Sequence, residues 1–404
     1  MGAMSDLHEP KSVSAAVRSS RAPLDIRIYL LTLGTFALGT DVFVIAGILP
    51  MIAGDLGVSV EAAGQMVTVY ALTYALGSPL LAALAAQWQR ERVVILALAG
   101  FAAADLACSL APTFPILLAA RFLAGASGAL FSPTAYTIAA ALAPAERRGA
   151  ALARVALGMT SATVMGVPLG TWIGQHAGWH VTFLLGFALA TSAAVALLIG
   201  RIPPLSGTAP PPFRARFAPL ARPRVVASLL ANLLWSVGNY TVYTYSAVLF
   251  GARLGLENIA LLLLGYGLGG LSGSQMGGRF VDRFGTTLPI LVCVSVNIIN
   301  LAALNITGGS VFGAAAALFV IAFSGWAAFP AQQSRLLTLE AEHGGLVLSL
   351  ISSTIYIGSA LGAALGGLLL AHGAPSTLPY AASLATTSGL ALFLRSLHRG
   401  RAWR

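Results

Sequence analysis

The sequence predicts an all-α integral membrane protein: twelve transmembrane helices in two six-helix pseudo-symmetric bundles, with both termini cytoplasmic. Three observations lead there. Charged residues make up 9% of the 404-residue chain and apolar residues 57%, against about 25% and ~45–50% in soluble domains, and mean hydropathy is +0.84. Twelve apolar runs stand along the chain, each near the roughly 20 residues that a bilayer-crossing helix needs. The basic residues fall almost entirely in alternate loops.

These features exclude several classes. So few charges cannot cover the surface of a soluble protein of this size, and so apolar a chain is not disordered. The two cysteines, Cys108 and Cys293, both lie inside apolar runs, which argues against a disulfide scaffold or a zinc site. The net charge of +10 comes from 23 basic residues, all but Lys11 arginine, clustered between apolar runs. That pattern suits membrane orientation rather than nucleic-acid binding.

The runs cover residues 28–50, 62–86, 93–112, 116–142, 150–173, 181–201, 225–249, 259–280, 287–307, 311–333, 345–371 and 378–396. The first is expected to remain in the chain, being too long for a signal peptide and carrying Asp41. With both termini inside, the inner segments hold twenty of the basic residues and the outer loops hold only Arg253, while Arg121 and Arg154 lie within runs. The positive-inside rule then sets the topology. Domains follow: a flexible cytoplasmic tail over 1–24, a bundle over 25–201, a Pro- and Arg-rich cytoplasmic linker over 202–224, a second bundle over 225–397 and a basic tail over 398–404.

Taken in order, the runs carry a few polar residues. Asp41 interrupts the first. A carboxylate at bilayer depth costs about 2.5–3.5 kcal/mol on insertion scales, so it faces a wet cavity or a partner. Such a group suits proton exchange; the alternative is a static ion pair that fixes packing. At 1.5 Å per residue Asp41 lies ~20 Å from the inner end, Asp105 of the third run ~18 Å, and Arg121 of the fourth ~21 Å. All three share one layer. Arg121 keeps its proton, so it sets the behaviour of a nearby acid, holds an anionic group, or braces the scaffold. Asp105 either joins the proton chemistry or neutralises Arg121.

The fifth run is rich in glycine around one proline: Gly158, Gly166, Pro168 and Gly170. Glycines permit close helix approach and Pro168 bends the helix. The expectation is a sliding interface against the glycines of the eighth run, with tight packing alone as the alternative. The seventh run carries Asn232, Trp235, Asn239, Tyr240 and Tyr243, and the tenth Gln333. Aromatics and amides suit an amphipathic organic ligand, or an interfacial belt. The eighth run ends in Gly278, Asp282, Arg283 and Gly285. The corresponding stretch after the second run keeps Arg90 but has Ala86 in place of the acid. The second half is expected to hold no buried acid.

These residues resemble the major facilitator superfamily. Gly278-Arg279-Phe280-Val281-Asp282-Arg283-Phe284-Gly285 is similar to its inner loop signature, residues 158–170 to the antiporter signature of its exporting members, and Arg121-Phe122-Leu123-Ala124-Gly125 to its membrane arginine motif. Gly39-Thr40-Asp41 through Pro50 resembles the first span of twelve-span drug:proton antiporters, especially the arabinose/sugar-efflux-like and chloramphenicol-exporter-like branch, many of which have Glu at the Asp41 position. The likeness covers residues 28–396. It implies alternating access, a cavity lined by the first, fourth, seventh and tenth spans, and an inner latch at Asp282 and Arg283.

The resulting expectation is a secondary exporter of small organic molecules in the bacterial cytoplasmic (inner) membrane, driven by proton antiport. Uptake symport and passive facilitation stay open, and an intramembrane enzyme is the remaining class. The six histidines sit in tails or loops, and no Walker-type phosphate loop occurs. No cofactor or metal is expected, protons being the coupling ion. The partners are a small organic substrate and membrane lipids, not nucleic acid, and the chain is expected to be monomeric.

Overall fold

The computed structural model describes residues 24–205, 218–256, 259–340 and 344–398. The expected tails over 1–24 and 398–404 fall almost wholly outside those residues, as does most of the linker. Among the described residues the structure is helical, without strands. In the first half the helices are α1 (Ile26–Asp55), α2 (Val60–Leu84), α3 (Arg90–Ser109), α4 (Phe114–Leu142), α5 (Arg148–Ala177) and α6 (Trp179–Gly200). In the second half they are α7 (Pro223–Thr244), α8 (Ala260–Phe284), α9 (Thr287–Thr307), α10 (Val311–Leu339), α11 (Gly344–His372) and α12 (Leu378–His398). A nine-residue helix, Ser246–Leu254, extends α7 past a break at Tyr245. Ten of the described helices are long and apolar enough to cross a membrane.

Local chemistry sets the ends. The Asp25 carboxylate accepts from the Arg27 backbone N–H and so caps α1, while Arg27 Nε donates to the Gly200 carbonyl at 2.7 Å, tying the start of α1 to the end of α6. Gly285 ends α8 at φ 72°. An L side chain is strained there, which gives the last glycine of the loop motif a conformational reason.

α5 is not a continuous α-helix. Ala162–Gly166 form a π turn, in which the Val167 N–H reaches the Ala162 carbonyl five residues back. Pro168 follows at once. A proline ring crowds the carbonyl four residues before it and supplies no N–H, and a widened turn is one way a helix absorbs that.

The helices pack within each half, and the two largest seams between the halves are α2 against α11 and α5, mainly at its π turn, against α8. The first-half core runs from Ile28 and Leu31 of α1 through Phe101 and Phe131 to Leu197 of α6. A second cluster crosses between the halves, placing Phe43 of α1 with Tyr243 of α7 and Tyr266 of α8.

The glycine expectation for α5 needs correcting. A β-carbon on Gly158 would strike Thr35 and the Thr32 carbonyl, one on Gly166 would strike Thr40, and one on Gly170 would meet Val44. All are residues of α1, so these glycines seat α5 on its own half. On α8, Gly269, Gly273 and Gly277 press against the α10 backbone, again within one half. Gly267 abuts the π turn, with no room for a β-carbon beside the Thr163 carbonyl, and Gly270 faces Trp326 and the Thr163 hydroxyl. A small-residue stripe encodes close approach; it does not encode the partner helix.

Candidate functional site: a buried ion pair beneath a tyrosine-lined cleft

Asp41 and Arg121 meet. Asp41 on α1 is 3% exposed and Arg121 on α4 is 1% exposed. Nη1 of Arg121 donates to Oδ1 and Oδ2 of Asp41 at 2.7 and 2.8 Å. The guanidinium lies 4.7 Å from the Tyr70 ring centre on α2 and 6.0 Å from that of Phe183 on α6. Its Nε has no hydrogen-bond partner. A buried charge pair of this geometry is held together because separating either member leaves an uncompensated charge.

Asp105 of α3 completes the layer. It is fully buried beside Asp41 and Arg121, and neither carboxyl oxygen faces a donor. Gly186 of α6 gives it room, since a β-carbon there would collide with Oδ2. Cys108, one turn further along α3, also lies near Arg121. The three charged residues singled out by depth are therefore brought together.

Above them lies a narrow cleft between the halves. Its walls are Val42 and Ala46 of α1, Tyr70 of α2, Arg121 of α4, Tyr240 and Tyr243 of α7, and Tyr356 of α11, with Ser359. Tyr74 of α2 stacks on Tyr356 at 3.7 Å between ring centres, Tyr243 packs on Tyr266 at 4.2 Å, and Tyr243 donates to the Phe43 carbonyl at 2.8 Å. Each contact bridges helices with aromatic rings.

The other expected ligand residues divide. Tyr240 and Tyr243 line the cleft. Asn232 is buried and donates to Thr354 Oγ1 of α11 at 2.8 Å, and Asn239 Oδ1 accepts from Asn297 of α9 at 2.7 Å. Both amides therefore pin helices of the second half together. Trp235 turns away from the cleft into the core with Ile290, Val294 and Phe393. Gln333 is half-buried on α10 and does not line the cleft, and its neighbour Gln332 faces the Trp235 side. Tyr70 and Tyr356, on α2 and α11, also line the cleft, with Tyr74 stacked on Tyr356; the sequence marks none of the three apart from any other tyrosine in an apolar run.

The inner-loop residues are set apart from this site. Asp282 and Arg283 are exposed and make no ion pair among the described residues, Arg283 lying over Phe284 at 5.4 Å. Arg90 begins α3 and is half-buried. The expected lack of a buried acid in the second half is overturned. Glu340 is 1% exposed, and Arg222 Nε lies 2.7 Å from its Oε2. Its place at a helix end disguised it as a loop charge. Among the described residues no group of three His, Cys, Asp or Glu could hold a metal.

The Major Facilitator Superfamily family model matches residues 31–363. The chain belongs to this superfamily. It is 31% identical over 360 residues to an uncharacterized MFS-type transporter, YbcL, of Bacillus subtilis, covering 89% of this chain and 92% of that one. It is 36% identical over 266 residues to a chloramphenicol resistance protein of Streptomyces lividans, covering 64% and 68%. These relatives bear out the drug-efflux-like branch that the α1 and α5 sequences resemble. The fold is similar to that of a bacterial homolog of the human lysosomal transporter Spinster, solved in an inward-facing and unoccupied conformation, with TM-score 0.67 at 19% identity over 92% of this chain and 95% of that one. This superfamily member is thus a multi-pass membrane transporter, and its buried ion pair lies where the two halves face each other.

Proposed function

We propose that the protein exports small organic molecules from the cytoplasm by proton antiport through alternating access, without a catalytic step or a cofactor. The observation that carries this reading is the Asp41–Arg121 pair. It places a carboxyl group out of water, while its arginine forms part of the wall of the cleft between the halves. A carboxyl whose partner touches the substrate path is suited to couple ligand occupancy to proton uptake, because a ligand that disturbs the arginine changes the balance of charge at the acid.

In this reading all twelve helices span the bilayer. α2 and α8 have 25 residues each, long enough at 1.5 Å per residue for a core of about 30 Å. Both termini and the 202–224 linker then lie on the cytoplasmic side of a bacterial inner membrane, as the arginine distribution asks. The halves touch at the far side, where Tyr245 packs into the space left by Gly64 and Gly367 and Thr68 reaches Ala360. A cleft shut on that side opens to the cytoplasm in this reading, ready to load an exporter. The monomer suffices, since both halves of the site come from one chain.

The tyrosine walls and the chloramphenicol-resistance relative make a phenicol the first substrate to try. Proteoliposomes with an imposed pH gradient should accumulate it against its own gradient, and a protonophore should abolish the accumulation. Flux that ignores the pH gradient would make the protein a facilitator.

A further inference from the structure

Asp105 is a fully buried carboxyl whose oxygens meet no N–H or O–H donor among the described residues. From α1 it faces the Asp41 carboxyl, from α4 the Arg121 guanidinium, and from α2 the Tyr70 hydroxyl lies close. Its own helix adds Cys108, and α6 adds Gly186. Arg121 spends Nη1 on both Asp41 oxygens and leaves Nε unpaired.

The charges and hydrogen bonds of this group can be satisfied in one way. If both acids were ionised, one guanidinium would face two anions in a dry pocket, and Asp105 would be an anion without a single hydrogen bond. That is a strongly unfavourable arrangement. Two carboxyl groups side by side can bond to each other only when one carries a proton. Asp41 is the one already served by Arg121, so Asp105 is the one left to carry it. The pocket is then neutral overall: Asp41 negative, Arg121 positive, Asp105 uncharged and donating.

We propose that Asp105 holds a proton in this conformation and donates it in a hydrogen bond to Asp41. Asp41 is thereby the relay between Asp105 and the cleft. Release breaks the Asp105 O–H bond and forms one to an Asp41 oxygen. Asp105 is left as an anion that Arg121 attracts, and Asp41 passes the proton to water when the cleft reaches it. Reloading runs the same transfer backwards. The proposal rests on the proton-antiport reading for its role in transport, but the protonation itself does not.

Infrared spectroscopy of the full-length protein in lipid at neutral pH tests it. The wild-type minus Asp105→Asn difference should contain the carbonyl stretch of a protonated carboxylic acid, downshifted in D2O. The wild-type minus Asp41→Asn difference should contain the same acid band, because Asp105 then ionises to balance Arg121 in place of Asp41. Should Asp105→Asn fail to fold, Asp105→Glu should move the acid carbonyl band rather than remove it. Loss of carboxylate bands on Asp105→Asn, or an acid band that ignores both Asp105 variants, overturns the proposal. The two readings separate cleanly. The acid band without pH-driven transport retires antiport and keeps the proton on Asp105. Transport driven by the pH gradient without the band keeps antiport and retires Asp105.

Discussion

Arg121 reaches Asp41 across eighty residues of sequence with one nitrogen, Nη1, placed 2.7 and 2.8 Å from the two carboxyl oxygens. The pair joins α1 to α4 inside the first half, so it does not have to break for the halves to rock. A pair so placed can stay whole while the surroundings of Arg121 at the cleft wall change, which suits a coupling element better than a gate.

Asp41→Asn keeps the shape of the side chain and an oxygen for Arg121, but removes the charge and the exchangeable proton. Expression, insertion and substrate binding should persist, because Asp105 can ionise beside Arg121 in place of Asp41. Accumulation of substrate driven by a pH gradient should fall to the level of empty vesicles, while exchange of labelled for unlabelled substrate continues. Native accumulation by the variant would mean that Asp41 only braces α1 against α4.

Arg121→Ala should be more damaging to the fold. It leaves Asp41 buried without its cation, a loss of about 3–5 kcal/mol when one member of a buried pair is removed. Protein that survives should transport with an altered pH profile. Removing a cation beside a carboxyl favours its neutral form, so the profile moves to higher pH. Thermal unfolding and pH-resolved transport read the two effects separately. A lower melting temperature with an unmoved profile would assign Arg121 to the scaffold alone.

How much of this was legible in the sequence depends on what each residue type encodes. Depth along an apolar run is a length, and helix rise is constant, so Asp41, Asp105 and Arg121 could be placed in one layer before any packing was known. The direction of a side chain around a buried helix is not so encoded. α7 is apolar or aromatic on most faces, and nothing in its period separates Tyr240, which lines the cleft, from Trp235, which faces α9 and α12. Glycines likewise announce a close neighbour without naming it, which is why those of α5 turned out to face α1. Tyr74 and Tyr356 find each other only through the α2–α11 seam, a contact between halves separated by a long linker.

Gly267→Ala tests the tightest glycine contact between α8 and α5. A β-carbon there overlaps the Thr163 carbonyl and the Val164 backbone. Backbone cannot rotate away as a side chain does, so the helices must part, at a cost of about 1–3 kcal/mol for overpacking. The cost falls on the state in which the halves touch at the π turn. Transport should slow and crosslinking between cysteines placed on α5 and α8 should weaken, whereas Gly278→Ala, which faces open space, should do neither. Equal effects from both substitutions would show that α8 glycines matter for helix propensity rather than for this seam.

The last prediction concerns the inner loop. Asp282 and Arg283 stand exposed and unpaired among the described residues, and Gly278 beside them faces open space. If these residues latch the cytoplasmic side shut, the contacts they make belong to the other conformation. Asp282→Ala should then leave the stability of the present form unchanged, because it removes nothing that form uses. It should destabilise the closed-inside form, whose arginines lose a carboxylate. A mutation shifts a two-state equilibrium only through contacts that differ between the states, and a difference of about 1.4 kcal/mol is a tenfold change in their ratio. Spin labels on the inner ends of α3 and α8, near residues 92 and 279, report the separation directly. The long-distance population should grow in Asp282→Ala. It should grow less in Asp282→Asn, which keeps a hydrogen-bond acceptor. The first-half loop has Ala86 where an acid would make a matching latch, so no second carboxylate takes over. A distance distribution unchanged by both substitutions would reduce Asp282 to a solvated end of α8.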